Sequence, residues 1–146
     1  MIAYYDTSVI LKLYTWESES DRIQQMVVQE GSAILFTSLH LSECTSALML
    51  KVFRGECSDF QSKRAIADIE EDLANLVLRR QAIDWEAAWQ ETRNFSLSHS
   101  ASLGCRTLDS LHVACARQIQ AQKFITGDKR QAALAKQAGM DVFLPI

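Results

Sequence analysis

The sequence predicts an α/β protein built on a parallel sheet, on three observations. Short apolar runs such as Ile2-Ala3-Tyr4-Tyr5 and Lys123-Phe124-Ile125-Thr126 alternate with stretches whose apolar residues recur at helical spacing. Several runs break at an acid or hydroxyl where the next helix begins, as at Asp6-Thr7-Ser8 and Gly127-Asp128. Strands that alternate with helices imply right-handed crossovers and a sheet covered on both faces.

In chain order, residues 2–5 form a strand that delivers Asp6 to its C-terminal end. Thr7 or Ser8 caps a short helix through about Tyr14. A second helix opens at Glu17-Ser18-Glu19-Ser20, carries Ile23, Met26 and Val27 on one face, and ends at Gly31. Ala33-Ile34-Leu35-Phe36 reads as a buried strand. Residues 39–54 are helical, with Gly55 as the stop. Residues 58–77 read as one amphipathic helix with Ile66, Ile69, Leu73, Leu76 and Val77 as its stripe. Asp68, Glu70, Glu71 and Asp72 form its solvated face. Residues 78–83 fit a short strand or a connection equally well. Asp84 caps a helix holding Trp85, Ala88, Trp89 and Phe95, with core packing expected of both tryptophans. The pattern breaks over residues 98–104 and resumes as a helix over about 107–121. A strand at 123–126, a helix to Ala138 closed by Gly139, and a strand at 142–144 complete the chain.

No stretch is rich in Pro, Gly or Ser and no segment repeats, so residues 1–146 are expected to form a single domain. The 48% hydrophobic fraction places the chain among soluble globular proteins. No apolar run approaches the roughly 20 residues that a membrane span needs. No basic region followed by a small-residue cleavage site opens the sequence, which makes the cytoplasm the expected location. Cys44, Cys57, Cys105 and Cys115 are widely spaced and form no C-x-x-C pair, so reduced, mostly buried thiols are expected. The net charge of -3 argues against gripping nucleic acid by bulk charge, but is compatible with an acidic metal centre inside a local basic rim.

Four acids stand out. Asp6 and Asp128 sit at strand-to-helix junctions, where an aspartate can be a simple helix cap or a ligand. Asp109 falls in the first turn of its helix, where a carboxylate also favours the dipole. Glu43 is different. It lies past the first turn, and its face neighbours Ser46, Ala47 and Leu50 are small or apolar, so capping does not explain it. If all four converge on one sheet edge, their repulsion calls for a divalent cation. Oxygen-only ligands select a hard ion, Mg²⁺ or Mn²⁺, and such a centre suits phosphodiester hydrolysis by metal-activated water.

Asp6-Thr7-Ser8 after a strand, Leu41-Ser42-Glu43 in a helix, Asp109-Ser110-Leu111-His112-Val113-Ala114 opening a helix, and Ile125-Thr126-Gly127-Asp128-Lys129 after a strand resemble the PIN-domain ribonucleases. They resemble most the VapC-type toxins of toxin–antitoxin pairs. Leu13-Tyr14-Thr15-Trp16-Glu17 and the ending Ala138-Gly139-Met140-Asp141-Val142 fit the same pattern, so the likeness spans the chain. No single motif is specific; four in this order are.

The resemblance implies a PIN-like α/β/α sandwich with a central, mostly parallel sheet. It implies a Mg²⁺- or Mn²⁺-dependent endoribonuclease with Asp6, Glu43, Asp109 and Asp128 as metal ligands. Transfer RNA is one candidate substrate, and a small antitoxin protein whose tail lies over the cleft is the implied partner. Thr7 and Thr126 would stand near the metal or its waters, with caps or ST-turns as the alternative. Lys129 and Arg130 would meet phosphate, or else belong to a solvated helical turn. The helices over residues 4–14, 17–31 and 39–53 carry more apolar residues than one face needs, which predicts a homodimer and an antitoxin groove among them.

His40, His99 and His112 share no metal-ligand spacing, which leaves surface or satisfied core roles, with a His112–carboxylate pair as one option. Rival chemistries lack their residues. A phosphoaspartyl transferase needs an acid where Ser8 stands, an aspartic protease needs an all-β fold, and no Gly-rich phosphate loop occurs. The alternative from another class is a PIN-like module that binds RNA or protein without cutting.

Overall fold

A computed structural model of the chain describes residues 1–145. The final residue of the span predicted as one domain therefore lies outside the described residues. Strands and helices follow in the order β1 (Ala3–Tyr5), α1 (Thr7–Leu11), α2 (Ser20–Glu30), β2 (Ile34–Phe36), α3 (Ser38–Phe53), α4 (Asp59–Ala74), β3 (Leu78–Arg80) and α5 (Trp85–Phe95). A π-helical turn (Ser96–Ser100) then leads to α6 (Ala101–Leu103), α7 (Thr107–Gln118), β4 (Lys123–Ile125), α8 (Lys129–Gln137) and β5 (Asp141–Phe143). Two compact units result: Thr7–Gln81 is one, and the first six residues with residues 82–145 are the other.

In the unit that contains both chain ends, β1, β4 and β5 form a parallel ladder in the order β1-β4-β5. Tyr4 pairs with Phe124 and Phe124 with Val142. The Tyr4 and Phe124 rings stack at 5.5 Å, an aromatic cross-strand pair in a fully buried layer. Helix α7 is buried along most of its length, from Ser110 to Ala116. Helix α8 buries Ala132, Leu134 and Ala135.

In the other unit, β2 pairs with β3 in parallel, Ile34 opposite Leu78 and Phe36 opposite Arg80. Capping boxes start both long helices. Thr37 and His40 exchange side-chain and backbone hydrogen bonds at α3, and Ser58 and Gln61 do so at α4. His40 is thus a satisfied core residue, fully buried and stacked on Phe36.

Every predicted strand and major helix exists, with residues 78–83 resolved in favour of a strand. Four local expectations are corrected. Helix α1 regularises only to Leu11, after which Lys12, Leu13 and Tyr14 donate to the third carbonyl back in a tightened turn. Helix α4 stops at Ala74 instead of Val77. Leu76 turns left-handed (φ +61°), and Val77 N–H closes on the Asp72 carbonyl in a Schellman motif. Leu76 and Val77 are consequently exposed and leave the stripe.

Residues 98–104 do not break the helix: winding continues through the π-helical turn Ser96–Ser100 into α6, with the Ser96 and Ser102 hydroxyls donating to the carbonyls of Thr92 and His99. Gly104, left-handed at φ +73°, ends it. Trp89 is 46% exposed and does not pack in the core, since α5 buries Ala88, Thr92 and Phe95. No helix among the described residues is long and apolar enough to cross a membrane.

Candidate active site

The three-stranded ladder extends one rung beyond its strands. Asp6 N–H donates to the Ile125 carbonyl at 2.9 Å, and Thr126 N–H donates to the Phe143 carbonyl at 3.1 Å. Backbone bonding therefore fixes Asp6 and Thr126 at the carboxyl edge, where ligands of open parallel sheets collect.

Around Asp6, which is 7% exposed, three side chains converge. Thr126 Oγ1 lies 3.3 Å from Oδ2, and Gln131 Nε2 lies 3.5 Å from Oδ1. His112 Nε2 stands 3.8 Å from Oδ1. The buried His112 ring is in turn held through Nδ1 by the Tyr4 hydroxyl at 2.7 Å. Helix α7 thereby reaches the strand end through its histidine as well as through its first turn.

Asp109 occupies that first turn, three residues after the extended cap residue Arg106, whose Nε lies 3.6 Å from its carboxylate. Burial holds the Asp109 carboxyl above the usual carboxylate range, reinforced by the negative charges of Asp128 and then Asp6; Arg106 and His112 oppose the shift. Asp109 thus lies in the field of both other aspartates. Asp128 caps α8, its Oδ1 accepting from Arg130 N (2.8 Å) and Gln131 N (3.2 Å), while its own N–H donates to Thr126 Oγ1 (3.0 Å).

In the other unit, Glu43 is half-buried on α3 and accepts a 2.7 Å hydrogen bond from the Thr7 hydroxyl. Thr7 is the next residue in the chain after Asp6. Lys129 and Arg130 are exposed in the first turn of α8, and the Arg130 stem lies over Gly104, where an added Cβ would stand 3.7 Å from Cδ. Arg106 is a third exposed cation of this rim and was not singled out from sequence.

The carboxylates are hard oxygen donors, and the mutual repulsion felt at Asp109 is what a divalent cation would relieve. The donor chemistry therefore fits Mg²⁺ or Mn²⁺. Among the described residues, no three His, Cys, Asp or Glu side chains stand close enough together to hold an ion as they are. Asp128 leans into its cap and Asp109 toward Arg106, so ligation requires rotation of these side chains.

Sequence reasoning missed Gln131 and Tyr4. Gln131 is fully buried, with Oε1 at 2.6 Å from Thr126 Oγ1 and Nε2 at 3.1 Å from the Asp109 carbonyl. The signal that could have found it is the one that singled out Glu43: a polar residue whose i+3 and i+4 neighbours, Leu134 and Ala135, are apolar. Tyr4 gave no such signal, since a strand tyrosine is ordinary. The expected histidine–carboxylate pair exists, with His112 Nε2 3.8 Å from Asp6 Oδ1.

These features define a parallel α/β unit with aspartates at and beside its carboxyl edge. The PIN domain model matches residues 3–137, and the chain belongs to that family. PIN domains are in general nucleases. Among solved structures, the crystal structure of FitAcB from Neisseria gonorrhoeae is similar over 99% of this chain and 98% of that chain, with a TM-score of 0.63 and 14% sequence identity. No curated protein matches the sequence significantly.

Proposed function

We propose that the protein is a Mg²⁺- or Mn²⁺-dependent endoribonuclease of the VapC toxin kind. The observation that carries this reading is the placement of Asp6 at the carboxyl edge of the parallel ladder, linked through Gln131 to the Asp109 turn; burial, and then the charges of Asp128 and Asp6, raise the Asp109 carboxyl. Carboxylates that repel one another at a strand edge are costly unless a cation binds there. Asp6, Glu43, Asp109 and Asp128 would hold the ion. When bound, it would supply activated water and neutralise charge developing on the scissile phosphate.

The chain's own residues divide the remaining work. Thr7 orients Glu43, Thr126 supports Asp6 and Asp128, and Lys129 and Arg130 meet the phosphate backbone as exposed cations. We read the protein as one functional PIN domain acting in the cytoplasm on RNA, with transfer RNA a candidate substrate. A small antitoxin would restrain it, and two copies would associate. The partner surface we assign to Thr7–Gln81, where Leu50, Phe53 and Phe60 are exposed and where Trp16, also exposed, lines a groove with Tyr14, Leu48 and Cys57.

One observation favours a non-cleaving RNA- or protein-binding module: the Asp128 carboxylate is engaged as a helix cap. Incubating the purified protein with total RNA decides between the two. Discrete fragments that need Mg²⁺ or Mn²⁺ and vanish with EDTA or with Asp6→Asn support the nuclease. RNA bound but intact supports the module, and cleavage surviving Asp6→Asn sinks the metal-site assignment.

A further inference from the structure

Gln131 uses both ends of its carboxamide inside the site. Its amide nitrogen faces two pure acceptors, the Asp109 carbonyl at 3.1 Å and Asp6 Oδ1 at 3.5 Å. Its oxygen faces the Thr126 hydroxyl at 2.6 Å. Flipping the amide would set its oxygen against two acceptors, so the orientation is fixed by its partners. Thr126 has one hydroxyl proton and already accepts from Asp128 N–H, which leaves that proton for Gln131 Oε1 and, more weakly, for Asp6 Oδ2 at 3.3 Å.

Three elements therefore meet in one side chain: the ends of β1 and β4 and the first turn of α7. The residue is fully buried, so each polar atom must be satisfied internally or at a cost. We propose that Gln131 is the positioning residue of the acidic cluster: it ties the Asp6 carboxylate to the Asp109 turn and, by taking the shorter hydrogen bond from Thr126, fixes the orientation in which Asp6 meets a divalent cation. The proposal rests on the metal-dependent nuclease reading above. Gln131 acts through Asp6 and Asp109 and touches no substrate.

The test is a Mn²⁺ titration of the metal-free full-length chain, followed by electron paramagnetic resonance, for wild type and Gln131→Met. Methionine keeps the length and apolar bulk but has no strong donor or acceptor. Loss of an outer-shell partner weakens metal binding by roughly 10- to 100-fold. We expect at least about a tenfold weaker Mn²⁺ isotherm for Q131M, a matching rise in the Mn²⁺ needed for half-maximal RNA cleavage, and unchanged RNA affinity in EDTA. A merely structural role would lower the melting temperature and leave the isotherm of the folded protein in place; superimposable isotherms overturn the proposal.

If Q131M is unfolded at the assay temperature, Gln131→Asn decides. It retains the buried carboxamide one methylene short of its three partners, and wild-type Mn²⁺ affinity in that variant overturns the proposal. A wild-type protein that neither binds Mn²⁺ nor cleaves RNA overturns the nuclease reading itself, a result distinct from a variant that matches an active wild type.

Discussion

The Thr7 hydroxyl donates to Glu43 Oε1 at 2.7 Å, giving the one acid that helix capping could not explain a buried neutral partner. A hydrogen bond to a charged group contributes about 1.5–3 kcal/mol. Thr7→Val keeps the branched shape and removes the donor. We expect it to lower RNA cleavage and destabilise the fold by about that amount, whereas Thr7→Ser preserves both. Parallel melting curves and cleavage assays read the two effects, and full activity in T7V would remove Thr7 from the site.

Asp109 makes stability pH-dependent. Its folded-state carboxyl lies above the ordinary value of 3.8, through burial first and then Asp128 and Asp6. Between 3.8 and the raised value, the folded chain binds more protons than the unfolded one, so stability from this group falls as pH rises through that window. Asp109→Asn, measured in EDTA, should therefore melt higher than wild type at pH 7, and the gap should close below the ordinary carboxylate range. Added Mn²⁺ should raise the wild-type melting temperature by mass action and raise that of D109N less. A gap unchanged down to pH 3 would contradict the electrostatic account.

Leu76 takes a left-handed conformation at the end of α4, with its side chain 70% exposed. A side chain there costs about 1–2 kcal/mol relative to glycine, partly offset by the greater freedom of glycine in the unfolded chain. Leu76→Gly should stabilise the protein by about 1 kcal/mol, roughly 2–4 °C in Tm for a chain of this size. Denaturant melts check it; a loss of stability would show that Leu76 makes contacts beyond its turn.

Ser110 is fully buried in α7, and its hydroxyl is the one buried side-chain polar atom without a hydrogen-bond partner among the described residues. An unsatisfied buried hydroxyl costs about 1–3 kcal/mol. Alanine is also the better helix former. Ser110→Ala should raise stability by about 1 kcal/mol, measured by urea unfolding. Destabilisation instead would point to a buried water bonded to the hydroxyl.

The fold was legible because its signals are local. Apolar runs ending at Asp6 and Thr126, and stops at Gly31 and Gly139, report backbone choices that neighbouring residues make. The errors fell where geometry overrides pattern. Leu76 and Val77 continue the apolar rhythm of α4 but are turned out of it by a Schellman closure. The serines after Phe95 look like a break, yet they bond the helix carbonyls.

Within the site, the acids were readable one at a time, because each sits oddly for its local element. Their supports were not. Tyr4 and His112 are 108 positions apart in sequence, and Gln131 and Asp6 are 125 apart. Such pairings are decided by tertiary packing, which local patterns do not encode.

The extra rung formed by Asp6 N–H and Thr126 N–H has a further consequence. In a strand, consecutive side chains point to opposite faces, so sliding β1 by one residue against β4 would turn Asp6 away and put a tyrosine in its place. The Asp6 amide proton thus reads out the alignment of β1 on β4, and the Thr126 amide proton that of β4 on β5. Their hydrogen exchange, followed while cleavage is measured, would report whether loss of activity begins with chemistry at the carboxylates or with slippage of the sheet that aims them.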